Sequence, residues 1–257
     1  AKGREVIVSR GEAVEIGGGF RITDVLRQSG ATLVEVGTTN RTYIADYASA
    51  ITPNTAALLR VHASNFRVVG FTESPSLEEM VELGNRHSPS TGSGQRILVL
   101  HDLGSGCLLD TREFGLAHEP TPQESVAAGA GLVFFSGDKL LGGPQCGIIV
   151  GKRELVQRLE KHPLARAVRI DKMSLAALTA TLLHYVKGDA VQQIPIWRMI
   201  AMQPEELKAI ASRWQAAIGQ RAAIAQSLST IGGGSLPGET LPTWVAAIGC
   251  DGLPGGA

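Results

Sequence analysis

Lys139 stands in the stretch Gly131 to Pro144, GLVFFSGDKLLGGP, where an apolar run ends and a single lysine follows between glycines. The run Leu132 to Phe135 predicts a short buried strand, and Ser136-Gly137 breaks it at its carboxyl end. Lys139 therefore falls at a strand mouth, the region of an open α/β sheet where ligands bind. A lysine partly withdrawn from water gives up some preference for its charged form and can attack a carbonyl to form a Schiff base. The rival reading is a solvated loop lysine. Asp102 closes a second predicted strand in ILVLHDLGSG, followed by Gly104 and Gly106, and places a carboxylate in the same crevice.

A lysine and an aspartate so placed have one well-defined joint use. Pyridoxal 5'-phosphate needs an amine for its aldehyde and an acid facing its ring nitrogen, which stays protonated and makes the ring an electron sink. It also needs a cup of hydroxyl and backbone N–H groups for its phosphate, part of which Ser136, Gly137, Gly142 and Gly143 can supply. Each element alone is weak. An aspartate at one strand end, one helix, and Ser-x-x-Lys after the next strand is far more specific. Ser64 and Asn65 in VHASNFRVVG follow another strand end, where they could reach the ring hydroxyl or simply form a loop turn. His62 and His101 flank the same crevice and read as hydrogen-bonded core residues. Arg166 and Arg169 in HPLARAVRIDK could share one helical face; on the residues alone that is a solvated basic face.

Short apolar runs and amphipathic segments alternate in a way that must position these groups. Strands are expected at Val6 to Ser9, Thr32 to Val36, Ala57 to His62, Arg96 to Asp102, Leu132 to Ser136 and Cys146 to Val150. Helices are expected between them at Arg21 to Gln28, Thr42 to Ile51, Ser76 to Arg86 and Pro122 to Ala128. Ser76-Leu77-Glu78-Glu79 has the form of a capping box. This order implies an α/β layered fold with a mostly parallel sheet. Past Val150 the pattern turns helical, with Arg153 to Lys161, Ser174 to Val186 and a long Pro204 to Ser229, before β structure returns at Thr230 to Ile248. The division is residues 1–190 as a large cofactor-binding domain and 191–257 as connecting helices and the start of a smaller domain. Trp197 and Trp244 are expected as core or interface anchors. Ser88 to Gly94, SPSTGSG, reads as a flexible loop without chemistry, and internal repeats are not evident.

Composition sets the outer limits. With 257 residues, 44% of them hydrophobic, the chain can bury a sizeable core, and low-complexity disorder is not supported. The 24 basic residues balance 24 acidic ones, so no diffuse attraction draws nucleic acid or membrane. Cys107, Cys146 and Cys250 lack metal-ligand spacing and suit a reducing compartment. No run reaches the roughly 18 apolar residues of a membrane span, and no secretory leader opens the chain, so a cytoplasmic location is expected. Both ends read as cuts through a longer protein.

The stretches VIVSRGEAVEIGGGFRITDVLRQSGATLVEVGTTNRT, HASNFRVVGF, HDLGSG, FFSGDKLLGGPQCGIIVGK and GGGSLPGETLPTW resemble the bacterial selenocysteine synthase family, the L-seryl-tRNA(Sec) selenium transferases. The likeness runs from about residue 1 to about residue 248. It implies a fold type I, aspartate aminotransferase-like, pyridoxal phosphate-dependent transferase. It also implies conversion of L-seryl-tRNA(Sec) to L-selenocysteinyl-tRNA(Sec) by way of an aminoacrylyl intermediate, with selenophosphate as donor and Lys139 as the base at the α-carbon. On the same footing it implies that Arg166 and Arg169 grip the donor anion, that no metal takes part, and that the enzyme is a homo-oligomer. The family's amino-terminal tRNA-recognising domain and the first half of its phosphate cup have no counterpart in this sequence. Two alternatives stay open: a related β-eliminating lyase acting on a small amino acid or amino sugar, and a non-catalytic assembly or RNA-scaffolding fragment.

Overall fold

A computed structural model describes residues 2–16, 18–87 and 96–249. The expected loop at Ser88 to Gly94, together with Cys250, lies outside the described residues. The chain begins with strand β1 (Glu5–Ser9), a small hairpin of β2 (Glu15–Ile16) and β3 (Phe20–Arg21), helix α1 (Ile22–Gln28) and strand β4 (Thr32–Val36). It continues through α2 (Ile44–Ala50), β5 (Thr55–Val61), α3 (Leu77–Arg86), β6 (Leu98–Gly104), α4 (Pro122–Ala127), β7 (Leu132–Ser136) and β8 (Gly147–Gly151). Six of these strands make one sheet in the order β4-β1-β5-β6-β7-β8. All neighbours are parallel except the last pair, in which β8 runs back along β7.

The sheet is covered on both faces around β1, which explains its uninterrupted apolar sequence. Ile7 points into a cluster with Tyr47, Leu58, Met80 and Val99, beneath α2 and α3. Its neighbours Val6 and Val8 pack to the other side with Ala57, Leu59 and Val61. Helix α3 starts where its sequence says it should: Ser76 Oγ accepts from Glu79 N at 3.1 Å, and Ser76 N donates to Glu79 Oε2 at 2.7 Å. The strand order reverses at β1, between β4 and β5, and the carboxyl ends of β5, β6 and β7 open on one crevice.

Beyond β8 the chain is helical: α5 (Arg153–Glu160), α6 (Pro163–Ala167), α7 (Lys172–Lys187), α8 (Ala190–Gln193), α9 (Pro195–Ala201) and α10 (Pro204–Ile218). The expected helix from Pro204 to Ser229 is too long. Gly219 takes φ +83°, its N–H bonds to Gln215 O at 2.8 Å, and the helix stops there. The alanine-rich segment after it becomes β9 (Ala222–Thr230), paired antiparallel along its full length with β10 (Thr240–Ile248). Helical propensity yields to the ladder and to packing against α10. Trp197 is wholly buried, in a cluster that also holds Leu140, Ile194, Ile231 and Leu236. Among the described residues no helix is long and apolar enough to cross a membrane.

Candidate active site

A cavity of about 770 Å³ opens at the carboxyl ends of β5, β6 and β7, lined by Ser64, Asn65, Asp102, Ser136, Lys139 and Gly234 among others. Three strand ends thus deliver five of the residues singled out in the sequence to one space. Two glycines let them approach. A Cβ on Gly104 would lie 2.9 Å from Ser64 Oγ and 3.7 Å from Lys139 Nζ, so the hydroxyl and the amine both face the gap that this glycine leaves. Gly104 also has φ +71°, a conformation that side chains disfavour. From the opposite side, a Cβ on Gly234 would lie 3.0 Å from Lys139 Nζ.

Asp102 and Lys139 answer each other electrostatically. Burial pushes the Asp102 carboxyl above its ordinary range, opposed by the positive charge of Lys139, by the Gly104 N–H and by His62. A group of fixed positive charge bound beside Asp102 would act in the same direction as Lys139. His101, one residue earlier on β6, points to the other side. It is buried, its Nδ1 lies 3.0 Å from Ser125 Oγ, and burial pushes its pKa down to about 3, so it is a neutral core residue as its position suggested.

Other sequence expectations meet a different geometry. Gly137 donates its N–H to Cys146 O at 2.9 Å, Gly142 to Lys139 O at 2.9 Å and Gly143 to Gly137 O at 2.8 Å. These amides are spent in holding the turn that carries Lys139, so the phosphate grip offered by this segment falls to the Ser136 hydroxyl. Asn65 is exposed and gives its side-chain N–H to Glu15 O at 3.0 Å. Arg166 and Arg169 do not share a helical face, because α6 ends at Ala167 and the chain turns toward Asp171, which caps α7. Both arginines are exposed; Val168 between them lines the cavity, and neither arginine is among its lining residues. Passed over in the sequence was His62, which lines the cavity with its Nε2 3.3 Å from Oε1 of the buried Glu119. Its place directly after a strand was the signal; the partner lies far away in sequence.

An open, mostly parallel sheet with a lysine and an aspartate at neighbouring strand mouths is the architecture of the fold type I pyridoxal phosphate enzymes. The structure is similar to that of D-glucosaminate-6-phosphate ammonia-lyase, with a TM-score of 0.64 at 21% identity, covering 96% of this chain and 56% of that one. It is also similar to a Thermus thermophilus aspartate aminotransferase double mutant, with a TM-score of 0.55 at 18% identity, covering 96% and 55%.

Residues 1–253 match the L-seryl-tRNA selenium transferase family, and the chain belongs to it. The L-seryl-tRNA(Sec) selenium transferase of Alkaliphilus metalliredigens is 53% identical over 254 residues, covering 96% of this chain and 53% of the relative. That of Geotalea daltonii is 53% identical over 256 residues, covering 96% and 54%. The chain spans about half the length of the curated relatives it matches.

Proposed function

We propose that the chain carries the reactive-lysine portion of an enzyme that converts L-seryl-tRNA(Sec) to L-selenocysteinyl-tRNA(Sec) with selenophosphate and pyridoxal 5'-phosphate. On this reading it works in the cytoplasm as a homo-oligomer, residues 1–190 hold the cofactor, and 191–257 begin a smaller domain. The observation that supports it is the convergence of Lys139, Asp102, Ser64 and Ser136 on one cavity, in a chain of this family.

The residues present fit the cofactor. An amine, a carboxylate and two hydroxyls converge, and the space between Ser64, Gly104 and Lys139 is a cradle that one added Cβ would fill. Lys139 would hold the cofactor's aldehyde carbon, Asp102 its ring nitrogen, Ser64 its ring hydroxyl and Ser136 an oxygen of its phosphate. Bound there, the cofactor supplies an electron sink for negative charge at the α-carbon of the seryl group. Lys139 Nζ is the base that takes the α-proton. Asp102 would set a negative charge toward the ring nitrogen. Arg166 and Arg169, on either side of the cavity-lining Val168, would offer two guanidinium groups to the phosphate-like part of the selenium donor. The net change replaces the β-hydroxyl by selenium and releases phosphate.

The test is an absorption spectrum of the chain with added pyridoxal phosphate, before and after borohydride, beside Lys139→Ala. The expected result is a visible band in the wild type that borohydride fixes onto the protein, absent from the variant. A wild type that gives no such band, or a variant that gives the same one, sinks the reading for this chain.

A further inference from the structure

Among the described residues, the titratable side chains that line the cavity are Lys139, Asp102 and His62. On the reading proposed above, loss of the β-hydroxyl needs two proton transfers, and two of these residues are already committed. Lys139 takes the proton from the α-carbon, and Asp102 faces the ring nitrogen. A hydroxyl group leaves poorly as hydroxide and readily as water, so a proton has to reach its oxygen as the bond to the β-carbon breaks. His62 is the side chain left to bring it.

The fold holds His62 in a way that suits this work. Its backbone N–H donates to Asp102 O at 2.8 Å, which ties the end of β5 to that of β6, and its charge acts on the Asp102 carboxyl. One ring nitrogen, Nε2, lies 3.3 Å from Oε1 of Glu119, and neither atom has another partner among the described residues. The Glu119 side chain is 2% exposed and its backbone N–H donates to Thr111 Oγ1 at 3.0 Å, so the carboxylate is fixed from the loop after β6. The other ring nitrogen, Nδ1, makes no hydrogen bond among the described residues, and the histidine side chain remains 24% exposed. A carboxylate behind one nitrogen and a free nitrogen opposite it is the arrangement that orients a histidine for proton transfer. A second cavity of about 370 Å³ shares Val61 and His62 with the first and reaches the exposed Asn40 and Arg67. It gives His62 a route to water through a space that Lys139 does not line.

From this geometry we infer that His62 is the proton donor to the leaving β-oxygen and that Glu119 is its positioning residue. The proton on Cα passes to Lys139 Nζ, and the Cβ–O bond breaks with its electron pair on oxygen. The His62 proton joins that oxygen, and water leaves as a double bond forms between Cα and Cβ. His62 is left neutral and regains its proton from water by way of the second cavity. The inference rests on the lysine chemistry proposed above and assigns a further residue of that same site. The rival donor is Lys139 itself, handing the α-proton on to the oxygen.

The test uses the chain loaded with pyridoxal phosphate and two substrates, L-serine methyl ester and β-chloro-L-alanine methyl ester, whose chloride leaves without a proton. Elimination is read as methyl pyruvate, and α-proton exchange in deuterium oxide by NMR. His62→Gln should lose elimination from the serine ester by about a hundredfold or more. It should keep borohydride fixation, α-proton exchange and elimination from the chloro ester. Glu119→Leu should lose about tenfold on the serine ester alone, the equivalent of one buried hydrogen bond. In the chain without added cofactor, nitrogen-15 spectra should place the ring proton of neutral His62 on Nε2 in the wild type, a preference that Glu119→Leu removes. A His62→Gln protein that still eliminates from the serine ester at the wild-type rate assigns the step to Lys139 and overturns the inference. So does an equal loss on both esters, which marks a merely structural role. If His62→Gln does not fold, Glu119→Leu and the ring spectra decide: an unchanged serine-ester rate, or a wild-type ring proton on Nδ1, overturns it. A wild type that exchanges the α-proton without eliminating from the serine ester overturns it as well. Absence of borohydride fixation or of α-proton exchange in the wild type instead brings down the lysine reading and this one with it, and the two failures are thereby told apart.

Discussion

Gly106 tests how tightly the mouth of β6 is fitted to the mouth of β7. It lies just past Asp102 with φ +65°, and a Cβ there would be 2.3 Å from the carbonyl oxygen of Ser136, 3.3 Å from Phe135 Cδ2 and 3.4 Å from Leu141 Cβ. In Gly106→Ala the Ser136 carbonyl must retreat by about 1 Å to restore ordinary contact. The positive φ costs alanine about 1 kcal/mol, and forcing a methyl into a packed contact costs a further roughly 1–3 kcal/mol. Gly115→Ala isolates the first of these, because Gly115 has φ +75° and nothing within 4 Å of the added carbon. In a domain of this size 1 kcal/mol moves Tm by about 2–4 °C, so Gly106→Ala should lose roughly 5–15 °C and Gly115→Ala about 2–4 °C. Pyridoxal phosphate titration followed by absorbance should show weaker binding for Gly106→Ala by about tenfold or more, since Ser136 moves with its carbonyl. Gly115→Ala should bind as wild type. Equal Tm losses in the two variants, or unchanged cofactor binding in Gly106→Ala, would refute the reasoning.

Two further outcomes follow from buried polar groups. His101 is held neutral with its pKa near 3 against 6.5 for the free side chain. The stability it confers is full above pH 6.5 and is lost as the pH falls toward 3, with a slope approaching about 1.4 kcal/mol per pH unit. His101→Asn, which does not titrate, should flatten the acid limb of denaturant-derived stability between about pH 6 and about pH 4 by one proton's worth; identical slopes would show that His101 is not the group responsible. Tyr185 OH donates to Leu141 O at 2.8 Å and accepts from Trp197 Nε1 at 2.7 Å, pinning the turn after Lys139 to the apolar cluster. Tyr185→Phe should lose roughly 1–3 kcal/mol by chemical denaturation, because it leaves a buried indole N–H without an acceptor. A loss no larger than that of an exposed substitution would argue that the hydroxyl bonds are dispensable.

The sheet was legible because its strands are buried runs bounded by breakers, and burial on both faces writes itself directly into sequence as at Val6-Ile7-Val8. The pairing of Asp102 with Lys139 was legible for a related reason: Asp102 closes one strand as read from the sequence and Lys139 follows the next, and in a parallel sheet the ends of adjacent strands are neighbours. What could not be read was set by contacts between distant segments. Ala222 to Thr230 has helical composition, and only the ladder with Thr240 to Ile248 makes it a strand. The amides of Gly137, Gly142 and Gly143 looked available, yet the turn consumes them. Gly234 is one of three successive glycines, and nothing local shows that the turn ends against Lys139. The partner that gives His62 its place, Glu119, is equally invisible without the fold.

The apolar cluster that joins Leu140 to Ile231 and Leu236 also orders events in time. Leu140 and Leu236 lie nearly a hundred residues apart in sequence, so the contact between them closes a long loop. Contacts of such sequence separation carry a large closure entropy and form late. The Gly234 side of the cleft around Lys139 therefore does not exist until the β9–β10 hairpin has docked. Before that contact forms Lys139 is a bare amine, and after it the amine stands in a cleft. The enclosure of Lys139 is in this sense acquired late, and it doubles as a readout of whether the hairpin has docked.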